Sequence, residues 1–175
     1  MQDYEKLYNF GETNNFIYTV CEIPKGSTHK IEFNRETKAF ELDRVEPNIF
    51  AKPTSYGFIP RTTDEDNDPL DTLIITDQPI LTGVVVKARV VGVLNFVDQG
   101  ENDHKIICVP EDDRNSGSTL KDIFDINEQF KKQIEHHFMH YKDLKKLGTT
   151  EVQGWGDTKT AWSVIEDCIN RYNKN

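Results

Sequence analysis

No apolar run in this chain approaches the ~18 residues that a membrane span needs; stretches such as Val90-Val91-Gly92-Val93-Leu94 break off early. The amino terminus, Met1-Gln2-Asp3-Tyr4-Glu5, lacks the basic and apolar blocks of a signal peptide. Together these features predict a cytoplasmic protein. Positive charge is also short: 21 Lys and Arg against 30 Asp and Glu leave a net charge of −9. That balance disfavours nucleic acid, whose phosphate backbone needs a basic face. It does not disfavour a phosphate ligand whose charge is carried by bound metal. Cysteine is scarce and odd in number. Cys21, Cys108 and Cys168 have no CxxC spacing and lie among apolar neighbours, which predicts buried free thiols in a reducing compartment rather than disulfides or a nucleophile. Repeats, low-complexity tracts and Gly/Ser linkers are absent, so the 175 residues are read as a single domain, 1–175, burying about 68–70% of its unfolded surface.

Short β segments dominate the first two thirds. They are expected over 16–23, stopped by Pro24, then over 30–33 and 39–42 as a hairpin turning at 34–38. Further strands are expected over 56–59, 72–76, 84–97 and 105–109. The period then changes. Phe130, Ile134, Phe138, Tyr141 and Leu144 recur at helical spacing, predicting a helix capped by Asp125 or Asn127 and ending near Gly148. One more strand is expected over 151–155. A second helix follows Asp157 or Thr158, with Ala161, Ile165 and Ile169 on its apolar side. The sum is an α+β, mainly β architecture: a barrel core with C-terminal helices outside it.

The chemistry concentrates in Asp64-Glu65-Asp66-Asn67-Asp68-Pro69-Leu70-Asp71, five acids running into the apolar Leu73-Ile74-Ile75. Carboxylates about 4 Å apart repel by roughly 1 kcal/mol in water and about 4 at an effective dielectric of 20. A free loop relieves this by splaying. A cluster stiffened by Pro69 and anchored to a strand at Asp71 cannot, and it calls for hard cations. A calcium loop is rejected, because Pro69 and Ile75 stand where an EF-hand needs Gly and Glu. Asp64 and Glu65 are expected to be ordinary solvated charges, as is the run Glu111-Asp112-Asp113. A second acidic group, Asp98, Glu101 and Asp103, precedes Lys105 at another strand connection. Two carboxylate clusters meeting at one end of a barrel could hold two or more metals that clamp a phosphoryl group and activate water. Lys30, Arg44, Tyr56, Tyr141 and Lys142 are candidate phosphate donors. Lys30 and Glu32, two apart, share one strand face.

With these residues assembled, the chain resembles the family I soluble inorganic pyrophosphatases of the short bacterial type, over nearly its whole length. Asp66-Asn67-Asp68-Pro69-Leu70-Asp71 matches that family's D-x-D-P-x-D signature. Lys30-Ile31-Glu32, Asp43-Arg44, Tyr56-Gly57, Asp103-His104-Lys105 and His140-Tyr141-Lys142-Asp143 accompany it. The resemblance implies a five-stranded, OB-like closed barrel and Mg²⁺-dependent hydrolysis of pyrophosphate to two phosphates, several ions per site and no covalent intermediate. It implies Asp66, Asp71, Asp98 and Asp103 as metal ligands and Asp68 as the base that helps deprotonate the attacking water. Lys30, Arg44, Tyr56, Tyr141 and Lys142 become phosphate contacts, with Glu22, Glu32 and Lys105 completing the charge network. It also implies a homohexamer, for which the helix carrying His136 and His140 is a candidate interface. Three positions depart from the family pattern. Lys52 stands where Tyr is usual, which changes a contact at the rim. Gln99 replaces a usual Glu, and Thr72 follows Asp71 where a small or apolar residue is usual. The competing expectation is an OB-like module that binds an oligonucleotide or other phosphate ligand without catalysis.

Overall fold

A computed structural model describes residues 4–7, 9 and 16–174. Among the described residues, nine strands and two α-helices carry the fold: β1 (Ile17–Ile23), β2 (His29–Asn34), β3 (Ala39–Val45), β4 (Ser55–Phe58), β5 (Asp71–Ile74), β6 (Val85–Asp98), β7 (Glu101–Asn102), β8 (Lys105–Pro110), α1 (Glu128–His140), β9 (Thr150–Gly156) and α2 (Thr158–Tyr172). Five strands close a ring. β1 pairs with β4, β4 with β5, β5 with β8, β8 with β6, and the first residues of β6 return to β1. This is the expected five-stranded barrel. β6 is long enough to serve three neighbours: Val85 to Ala88 pair with β1, Ala88 to Leu94 with β8, and Val93 to Asp98 with β9. The register shifts between Val90 and Gly92, an irregularity of the kind that lets a strand turn a barrel corner. β2 and β3 form the expected hairpin outside the ring.

Closure brings β4 hard against β1. A side chain at Gly57 would place its Cβ 2.1 Å from the Val20 carbonyl oxygen, so only glycine allows this approach. The barrel interior is apolar, and α2 closes one side of it with Ala161, Ile165 and Cys168. On the other side Ile134 and Phe138 of α1 pack with Leu94, Phe96 and Ile107. Thr72 is accommodated by a partner, its hydroxyl lying 2.6 Å from that of Thr19 inside the core.

The helix caps follow the sequence. Asn127 accepts from Gln129 N and Phe130 N, and Asp157 accepts from Thr160 N. α1, however, ends at His140, not near Gly148. Leu144 and Leu147 are 69% and 76% exposed, so no apolar surface rewards further helix. The chain instead tightens, with Asp143 N bonding His140 O and Lys145 N bonding Lys142 O. β5 likewise runs from Asp71 to Ile74 rather than from 72 to 76. None of the described helices is long and apolar enough to cross a membrane.

Candidate active site

The strand ends at one mouth of the barrel supply the site. β5 and β8 are the parallel pair of the ring, and their register sets Asp71 directly beside Lys105. The Lys105 ammonium, 2% exposed, lies 2.5 Å from Asp71 and also pairs with Asp103. Against the cost of burial, these two carboxylates hold Lys105 well above its ordinary pKa. Asp71 feels the opposite balance: burial pushes it up, against the pull of Lys105 and of the Tyr56 hydroxyl that donates to it. Tyr56 stands on β4, and burial first and Asp71 second raise its own pKa.

Asp98 ends β6, and Asp103 lies between β7 and β8. Gln99 and Gly100 both take positive φ, 53° and 90°, as a primed hairpin turn requires. Gln99 N donates to Thr149 O at 2.7 Å and Asp103 N to Phe96 O at 3.0 Å, which fixes the loop. Lys142 reaches across to pair with Asp98. The remaining oxygen of Asp98, Oδ1, is buried and has no hydrogen-bond partner.

The acidic loop is folded on itself. Asp64 N donates to Asp68 O at 2.7 Å, Asn67 N to Asp64 O at 3.1 Å, and Asp68 N to the Asp66 carboxylate at 3.0 Å. Asn67 sits at φ 70°, a left-handed conformation that Asn tolerates better than most residues. Burial first, and the Asp103 and Asp68 charges with it, push Asp66 up. Asp68 lies open to water at the mouth of the cleft. The surrounding protein, then Asp71 and Glu32, raise its pKa, which suits a base.

Every residue singled out for the site lines one cleft of about 280 Å³: seven carboxylates, five cations, Tyr56 and Tyr141. Glu22, at the end of β1, accepts from Phe33 N at 2.7 Å, and burial pushes its pKa up to about 8. From the outer hairpin, Lys30 pairs with Glu32 and lies 3.5 Å from Asp43; Arg44 pairs with Asp43 and Glu46. Tyr141 is set by its stack on His137, with centroids 5.8 Å apart and planes 14° from parallel.

The expectations for Asp64 and Lys52 need correction. Asp64 is not solvated; it is 3% exposed, and burial lifts its pKa to about 6. Its partners are on α2, with Cys168 Sγ and Arg171 Nη1 both 3.6 Å from Oδ1. Arg171 also donates to Cys168 Sγ, yet burial and Asp64 still push that thiol up to about 12. Lys52 is inside the cleft rather than at its rim, its ammonium over the rings of Tyr56 and Tyr141 at 5.2 and 5.3 Å. His137, beside the expected interface residues, is buried, its Nε2 lacks a partner, and its pKa is pushed down to about 3 by burial. No signal in the sequence distinguished it from His136 and His140. The rings of those two lie 4.5 Å apart, and His140 Nδ1 lies 2.7 Å from Asp143.

Lys105 pairs with Asp71 and Asp103 and Lys142 with Asp98, and among the described residues no three Asp, Glu, His or Cys side chains converge enough to hold one metal ion. The donor set nonetheless fits a hard divalent cation. It is all carboxylate oxygen, the charge of Asp103 helps to raise Asp66 and Asp71, and Asp98 Oδ1 is buried and free to coordinate.

Comparison with known proteins agrees with this geometry. The family profile described as inorganic pyrophosphatase matches residues 19–173. The chain belongs to the inorganic pyrophosphatase family. It is 57% identical over 175 residues to the inorganic pyrophosphatase of Neisseria meningitidis serogroup A, covering 99% of both chains, and 53% identical to that of Haemophilus influenzae with the same coverage. Among solved structures, the inorganic pyrophosphatase of Neisseria gonorrhoeae superposes with a TM-score of 0.94 at 56% identity, over 98% of this chain and 99% of that one. The pyrophosphatase of Thermus thermophilus gives 0.91 at 39% identity over the same shares.

Proposed function

We propose that this chain hydrolyses inorganic pyrophosphate to two phosphates with Mg²⁺, as one domain, in the cytoplasm and as a homohexamer. The observation that carries the reading is the convergence of both acidic loops and the parallel Asp71–Lys105 pair at one mouth of the barrel. Asp66, Asp71, Asp98 and Asp103 would hold the cations. When bound, these supply positive charge for the substrate oxygens and lower the pKa of water at the site.

The chain's own residues do the rest. Lys30, Arg44, Tyr141 and Lys142 line the cleft as donors and neutralise and orient the phosphoryl oxygens, much as cations do in other phosphoryl transfers. Tyr56 donates to Asp71 and so keeps one carboxylate aimed inward while offering its edge to substrate. Asp68, open to water and with a raised pKa, accepts the proton of the attacking water. Lys105 bridges Asp71 and Asp103 and sets their carboxylates at the cleft. No side chain is required to form a covalent bond.

The test is phosphate release from pyrophosphate by the purified protein, with Mg²⁺ and with excess chelator. Release that depends on Mg²⁺ is expected; its absence would overturn the assignment.

A further inference from the structure

Five cations line the cleft, and four are already engaged: Lys30 with Glu32, Arg44 with Asp43 and Glu46, Lys105 with Asp71 and Asp103, and Lys142 with Asp98. Lys52 is different. Among the described residues its ammonium has no hydrogen-bond or ion-pair partner; it is seated between the faces of Tyr56 and Tyr141. Withdrawing an ammonium from water without a partner is costly, and two aromatic faces return only part of that cost. The position is nevertheless fixed. Lys52 N donates to Ser27 O at 3.0 Å, Lys52 O accepts from Gly26 N at 2.9 Å, and Pro53 stiffens the chain that follows.

The groups that act on the Lys52 ammonium come from several elements: Tyr56 on β4, Tyr141 and His137 at the end of α1, Lys105 on β8 and Lys30 on β2, with Glu46 and Asp71 acting in the opposite sense to the lysines. Burial, then the charges of Lys105 and Lys30, push its pKa down to about 8. Two tyrosine rings flank the ammonium, and among the described residues no carboxylate pairs with it, although the cleft as a whole is rich in acids. A divalent cation is repelled from this corner, whereas a phosphoryl oxygen is drawn to it.

We propose that Lys52 is a substrate-binding residue, its Nζ donating to a phosphoryl oxygen of pyrophosphate that enters between Tyr56 and Tyr141. The inference rests on the pyrophosphatase reading and adds a contact to it. A charged hydrogen bond of this kind contributes to binding what corresponds to roughly ten- to a hundredfold in affinity.

The experiment compares wild type, Lys52→Gln and Lys52→Arg. Calorimetric binding of imidodiphosphate in Mg²⁺ is measured for each, together with KM and kcat for pyrophosphate and the melting temperature. Lys52→Gln is expected to bind imidodiphosphate about tenfold or more weakly and to raise KM more than it lowers kcat. It should melt no lower than wild type, because no pair is broken. Lys52→Arg should restore most of the affinity. Wild-type affinity in Lys52→Gln overturns the proposal. So does weakened binding that comes with a lowered melting temperature and is not recovered by Arg, since that marks a structural role. A wild type that hydrolyses pyrophosphate while Lys52→Gln is unchanged removes only this inference; a wild type that releases no phosphate removes the function as well.

Discussion

Asp71 and Lys105 are register partners in the parallel strand pair of the barrel, and their side chains meet 2.5 Å apart at its mouth. The same ammonium binds Asp103, so one buried lysine joins the two acidic loops. Removing one partner of a buried ion pair leaves an uncompensated charge and costs on the order of 3–5 kcal/mol. Lys105→Met should lose about that much stability in chelator, as read by urea unfolding. Because the stranded carboxylates then attract a cation more strongly, Mg²⁺ should stabilise Lys105→Met by more than it stabilises wild type. An equal response to Mg²⁺ in the two proteins would count against a shared cation site at Asp71 and Asp103.

Asp68 is exposed at the mouth of the cleft, and the charges of Lys30 and Arg35 only partly offset the burial and the carboxylates that raise its pKa. Asp68→Asn keeps the backbone hydrogen bonds of the loop, which use the Asp68 amide and carbonyl. It should therefore melt close to wild type while losing roughly 10²–10⁴ of the rate, the usual contribution of a general base. Phosphate release and thermal unfolding measured on one preparation decide this. A rate near that of wild type removes Asp68 from the base role.

Local pattern made much of this legible. A run of β-forming residues and Pro24 bounded β1, Asn34 to Lys38 marked the hairpin turn, and Asn127 and Asp157 marked the helix starts. The D-x-D-P-x-D loop was legible because Pro69 and the adjoining strand leave its acids nowhere to splay. What escaped depends on distant partners. Asp64 looks like its solvated neighbour Glu65 until Cys168, 104 residues later, buries it. Past the end of α1, Leu144 is exposed and Lys142 pairs with Asp98, 44 residues away. Periodicity within one segment carries no record of either contact.

Glu22 makes stability depend on pH in a particular direction. Its folded-state pKa is about 8 against an ordinary 4.5, chiefly through burial. Between those values the unfolded chain has released the proton that the folded chain keeps, so folding is penalised increasingly as pH rises. Glu22→Gln has no such proton. Its stability relative to wild type should climb between about pH 5 and 8 and level off above, by an amount on the order of a few kcal/mol. Urea unfolding of both proteins across that range, in chelator, isolates the effect, since Asp64 and Asp71 titrate in both. Parallel stability curves would show that Glu22 is ionised in the folded protein.

The clasp between the acidic loop and α2 is the final case. Arg171, in the last turn of the helix, donates to Thr63 O at 2.6 Å and lies 3.6 Å from the buried Asp64 carboxylate, while Thr63 N donates to Cys168 O at 3.1 Å. Arg171→Leu strands a carbonyl and a buried acid, at a cost of roughly 1–3 kcal/mol. Asp64→Asn removes the charge that Arg171 offsets, so the double variant should be less destabilised than the two single effects added. The turn fixed by Asp64 also carries Asp66 and Asp68, so Arg171→Leu should slow phosphate release as well, though by less than Asp68→Asn. A double-mutant cycle in urea reads the coupling directly. A coupling energy near zero would mean that α2 holds the loop through its backbone contact alone.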